Sequence, residues 1–224
     1  MANQAPRPLA APEIEAIRRI VSDQAPRFAH RAAPGAPIQG QWIQQPYFRR
    51  HRIVEVGSPV PLPAMRVHGV QSSDGTFMIL TGHLDHLREV ARAEPPEAIT
   101  DPESARGYAN AVDFWTTEND LGDLLVSSFD EIPWRKNLTE SDQRRIAALQ
   151  SSLGAQIEPP TVQSGAQGVT VTKWVLANQR LLRRQLVVPG DGQVTRTDQV
   201  IAEDLPAPSG KLWGFVKGRL VPTG

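Results

Sequence analysis

Apolar side chains recur at helical spacing in four separated stretches and at two-residue spacing through much of the rest, a pattern that predicts an α+β protein. The first helical stretch is Pro12 to Asp23. Pro12 suits the first turn, Glu13 and Glu15 favour the positive end of the helix dipole, Ile14, Ile17 and Val21 form one stripe, and Pro26 is the expected stop. His83 to Ala93 carries Leu84, Leu87 and Val90 on one side. After Pro95-Pro96, Asp101 to about Glu118 puts Tyr108, Val112 and Trp115 in register, with Asp101 as N-cap and Pro102 at the first helical position. Thr139, with Asp142 in the first turn and Ile146, Leu149 and Leu153 behind it, opens the last helix, which Gly154 ends.

Extended segments are predicted from His51 to Val56 and from Ala64 to Gln71, with Ser72 to Gly75 turning the chain into Thr76 to Thr81. Leu121 to Phe129 fits a strand or a continuing helix. The strongest strand signal is a meander of Val169 to Ala177, Arg180 to Val188 and Gln193 to Glu203, and Lys211 to Val221 fits a last strand. A two-residue turn at Asn178-Gln179 pairs Ala177 with Arg180, and counting back sets Lys173 opposite Arg184, flanked by Val171, Val175, Leu182 and Leu186. With a two- or four-residue turn after Val188, Thr197 and Gln199 join that face.

Composition adds a division of the chain. Half of the 20 prolines precede Ala64, and the X-Pro pairs of residues 57–63 favour an extended path, so residues 1–63 are expected as a Pro-rich N-terminal arm with one short helix and 64–224 as the α+β main domain. The formal net charge is zero over 224 residues, yet it is segregated: residues 1–66 hold nine Lys and Arg against four Asp and Glu, 67–143 five against fifteen, and 144–224 ten against five. Basic flanks around an acidic centre favour association within the chain or between copies, and argue against a continuous basic surface for nucleic acid. The chain has no cysteine, which excludes disulfides and thiolate chemistry. No membrane-length apolar run or secretory h-region appears, so a cytoplasmic location is the expectation.

Three clusters could carry chemistry. Lys173 and Arg184, with Thr197 and Gln199 as further donors, are the candidate for an anionic ligand or an acidic partner surface. His83, His86 and Glu89 are the candidate metal ligands, set near a helix N-terminus, although they match neither the zinc-protease nor the di-iron spacing. Tyr47 to Arg52 mixes aromatic and basic groups, as single-strand nucleic-acid grooves do, and equally suits a segment that docks its rings and keeps its arginines in water. No nucleophile elbow, phosphate loop or dinucleotide fingerprint is present, so no catalytic residue and no cofactor is called for.

The order of two helices, a strand, a helix and a long meander over His83 to Glu203 resembles the nuclear-transport-factor-2-like or cystatin-like cone. That resemblance implies a curved antiparallel sheet packed against helices, in a superfamily that holds both enzymes and binding modules. The function expected is a non-enzymatic interaction or assembly subunit that binds a protein partner or forms a homo-oligomer. The alternative is a cone-type small-molecule binder or enzyme with a pocket between helices and sheet.

Overall fold

The computed structural model describes residues 7–24, 38–57, 66–118 and 123–207, with the backbone alone of 213–216 and 219–222. Among the described residues, four α-helices and antiparallel sheets make an α+β fold. Two compact units divide it, one of residues 1–120 and 189–194, the other of 121–188 and 195–224.

In the first unit, β1 (Arg7–Pro8), β2 (Gln39–Ile43), β3 (Arg52–Gly57), β4 (Arg66–Gln71) and β5 (Phe77–Ile79) lie in chain order in one antiparallel sheet. Trp42 pairs with Val54 and Val56 with Val67. The predicted stripe of α1 (Ala11–Gln24) supplies Ile17 and Val21 to a core with Leu9, Val54, Val56, Val67, Phe77 and Ile79. Each such side chain contributes about 1.5–3 kcal/mol when buried. Gly69 of β4 is required by close approach, since a Cβ there would lie 2.1 Å from Phe77 Cζ and 2.9 Å from the Met78 carbonyl oxygen.

The segment expected as an arm contributes β1, α1, β2 and β3 to this sheet and its core, within the unit that runs to Asp120. Its three described prolines permit this because they avoid central strand positions: Pro8 sits in the edge strand, Pro12 in the first turn of α1 and Pro46 in a bend. Pro26 and the polyproline stretch after Gly57 lie outside the described residues.

Two helices complete the unit. The second, α2 (Leu84–Ala93), buries Leu87, Val90 and Ala91. The third, α3 (Pro102–Thr116), starts at Asp101, whose carboxylate accepts from the Glu103 and Ser104 amides while Ser104 reaches back to the Asp101 amide. Tyr108, Val112 and Trp115 are buried as their register requires. The connection Pro189–Val194 belongs here too: Tyr108 donates to the Gly192 carbonyl at 3.1 Å and Arg88 Nε to the Val194 carbonyl at 2.8 Å.

The second unit contains β6 (Leu124–Val126), α4 (Glu140–Leu153), β7 (Thr161–Gly165), β8 (Gly168–Ala177), β9 (Arg180–Val188) and β10 (Thr195–Ala202). Of the segment Leu121 to Phe129, residues 121–122 lie outside the described residues and the rest holds the short strand β6, followed by a 3₁₀ turn at Phe129–Glu131. The sheet order is β10-β9-β8-β6, and β7 pairs with the other half of the β8 edge that β6 occupies. Trp174, Leu176 and Leu181 form a core with Val126, Phe129, Ile132, Ile157 and Leu205, against which α4 lays Ile146, Leu149 and Leu153. Asn178 and Gln179, at φ 48° and 63°, make the two-residue hairpin turn. The last predicted strand is instead a hairpin of β11 (Trp213–Val216) and β12 (Arg219–Pro222), with 211–212 and 217–218 outside the described residues. No helix among the described residues is long and apolar enough to cross a membrane.

Candidate functional site

The β8–β9 register places Lys173 directly opposite Arg184, as the turn count requires, and pairs Val175 with Leu182 and Val171 with Leu186 on the same face. Thr197 and Gln199 are not on it. Thr195 pairs with Val187, so the seven residues from Val188 to Val194 separate the paired positions, and an odd connection inverts the alternation of β10. Thr197 and Gln199 oppose Gln185 and Arg183 on the other face, and Asp198 takes the place beside Arg184.

That substitution changes the chemistry. Arg184 Nε and Nη2 donate to the two oxygens of Asp198, each at 2.8 Å, and Nη1 donates to Asp123 at 2.9 Å. The guanidinium thus joins the neighbouring strand β10 to the residue before β6, on the far side of β8. Its side chain is only 5% exposed, and Lys173 is buried as well. Two like charges face one another here with two carboxylates supplied by the chain itself, one of them from the acidic segment. An apolar row runs beside the charges across β6, β8, β9 and β10: Leu125, Val175, Leu182 and Val200 pair in succession. Its centre is buried, while Leu125 and Val200 at its ends are 48% and 44% exposed.

Of the proposed metal ligands, the structure brings His83 and His86 together but not Glu89. The imidazoles stack with centroids 4.7 Å apart and planes 14° from parallel, and the third member of the group is Asp85.

Two further histidine–carboxylate pairs in the first unit escaped the sequence, because their members are far apart in the chain. His51 Nδ1 lies 2.6 Å from Glu94, whose carboxylate also accepts the amides of Arg49, Arg50 and His51. Burial alone would raise the Glu94 pKa, but the Arg50 amide, the His51 ring and the Arg49 amide hold it below the usual carboxylate range. Glu94 therefore fastens the Tyr47 to His51 segment, where Phe48 is buried and Tyr47 packs edge-on against Tyr108. Arg49 pairs with Glu97 and Arg52 stacks over Trp42, so Tyr47 to Arg52 docks its rings and keeps Arg49 largely in water. His68, fully buried in β4, has Nε2 at 3.4 Å from Glu55 on the neighbouring strand. Burial lowers the His68 pKa, and the nearby His68 imidazole lowers that of Glu55.

Compared with known proteins, the chain matches no family model, no curated protein and no solved structure. What it does must be sought in the geometry of its own residues.

Proposed function

We propose that this chain is a non-enzymatic interaction or assembly subunit that binds a protein partner or a second copy of itself. The observation that carries the reading is the edge of the second sheet. β10 ends the strand order and has no partner on its outer side among the described residues, so alternate amides and carbonyls of Thr195 to Val200 point outward. An extended segment can pair with such an edge through main-chain hydrogen bonds, with Val200 offering an apolar contact. The bulge between Val200 and Ala202 limits the pairing to the regular stretch before it. Charge segregation along the chain supports association, and the neutralisation of Arg184 by Asp123 and Asp198 favours a protein surface over a small anion as what the sheet receives.

The cone of the nuclear-transport-factor-2-like or cystatin-like type, with a ligand between helices and meander, is the competing proposal. It calls for the helices preceding β6 to serve the meander sheet, whereas α3 packs on β4 of the first unit. The partner reading is tested by light scattering of the purified chain at 0.1 M and 1 M salt, together with purification of the tagged chain from its native cell. It expects a dimer or larger species that weakens at high salt, or a stoichiometric partner protein. A monomer at both salts with no stoichiometric partner would contradict it.

A further inference from the structure

The sequence His83-Leu84-Asp85-His86 enters α2 in an unusual way. His83 is the N-cap residue, a position that favours Ser, Thr, Asp or Asn because a short side-chain oxygen can accept the first amides. Its backbone, at φ −127° and ψ 77°, sets the side chain where it makes no cap hydrogen bond. Instead the ring lies parallel to that of His86, 4.7 Å away.

His86 is held from behind. Its Nδ1 lies 2.6 Å from the carbonyl oxygen of Ile79, which can only accept, so Nδ1 carries the proton and the neutral ring keeps its lone pair on Nε2. Metal-binding imidazoles are oriented by this same kind of backbone contact. The His83 ring and the Asp85 carboxylate have no hydrogen-bond or ion-pair partner among the described residues. One donor atom from each of His83, Asp85 and His86 lies within 4.8 Å of the others.

We propose that these three residues bind one divalent transition-metal ion of the zinc type, with solvent completing the coordination. Zinc bonds of about 2.0–2.1 Å in tetrahedral geometry place ligand atoms roughly 3.3–3.4 Å apart, so the group must close by about 1.5 Å at most. His86 is anchored, while half-buried His83 and exposed Asp85 can make that adjustment by side-chain rotation. Two imidazoles with one carboxylate select zinc, cobalt, nickel or copper over the oxygen-seeking calcium and magnesium. The positive end of α2 opposes a cation and costs the site up to about fivefold in affinity, which Asp85 offsets. Glu89 lies outside the group, so the ligand set is His-x-Asp-His.

The test uses the full chain stripped with chelator, titrated with Zn²⁺ by calorimetry and with Co²⁺ by its visible absorption. One equivalent should bind, with the intensified cobalt bands of a low-coordinate nitrogen and oxygen site. His86→Ala and His83→Ala should each weaken binding at least about tenfold, Asp85→Asn should weaken it less, and Glu89→Gln should leave it unchanged. His83→Ala removes no hydrogen bond of the fold, so its result stands even if His86→Ala fails to fold. Absence of binding by the wild-type chain, or wild-type affinity in His83→Ala, would overturn the site.

Discussion

Replacing Arg184 with Met keeps most of the side-chain stem and removes the charge that joins three parts of the second sheet. Three charge-assisted hydrogen bonds are lost, each worth about 1.5–3 kcal/mol where its partners are buried. Asp123 and Asp198 are 17% and 31% exposed, so water recovers part of that loss on both carboxylates. Removing the like charge opposite Lys173 returns a few tenths to about 1 kcal/mol. The net expectation is about 2–3 kcal/mol of destabilisation. With an m-value of about 2 kcal/mol/M, the urea midpoint of the second unit should fall by about 1–1.5 M, followed by hydrogen exchange of the β8 and β9 amides so that the unit is read separately. Adding Asp123→Asn and Asp198→Asn to the variant should recover part of the loss, because no carboxylate is then left without its cation. A change below about 1 kcal/mol, or a triple variant less stable than Arg184→Met alone, would show that the guanidinium is not the link between these strands.

Asp101→Ala removes the α3 cap and its reciprocal bond with Ser104, and should lower the midpoint of thermal or urea melts, an effect that Asp101→Asn should largely avoid. Gly69→Ala forces a methyl into the Phe77 ring and should cost about 1–3 kcal/mol, part of which Phe77→Leu should restore in the double variant. His68 has a folded-state pKa below its unfolded value of about 6.5, so the unfolded chain binds the proton more readily and stability should fall as pH drops from about 7 toward 5. The lowered Glu55 and Glu94 act below that window, where stability is lost as they protonate, so His68→Gln should flatten the slope between pH 5 and 7 measured by denaturation at stepped pH.

Where local chemistry decides, the chain was legible. The caps at Asp101 and Thr139, the stripe of α1 and the turn at Asn178-Gln179 each follow from adjacent residues, and the turn alone sets Lys173 against Arg184. The misplacement of Thr197 and Gln199 has a different origin. The length of the β9–β10 connection depends on where Gly192 meets Tyr108 and where Val194 meets Arg88, contacts about a hundred residues away in the chain that no turn rule contains. Strands β2 and β7 lack the alternating bulky residues that mark a strand, because most of their positions are partly or fully exposed. Asp85 replaced Glu89 in the histidine group because the N-cap conformation of His83 turns the cluster off the regular helical spacing on which Glu89 was chosen.

Amide hydrogen exchange of β10 is the measurement closest to the central proposal. In the isolated subunit, the inward amides of Thr195 to Val200 should be protected by β9 and the alternate, outward ones should exchange rapidly. In the assembled complex, whether with a partner protein or a second copy, those outward amides should become protected while the β8 amides change little. A stable complex in which the outward β10 amides exchange as fast as in the isolated chain would contradict docking at this edge.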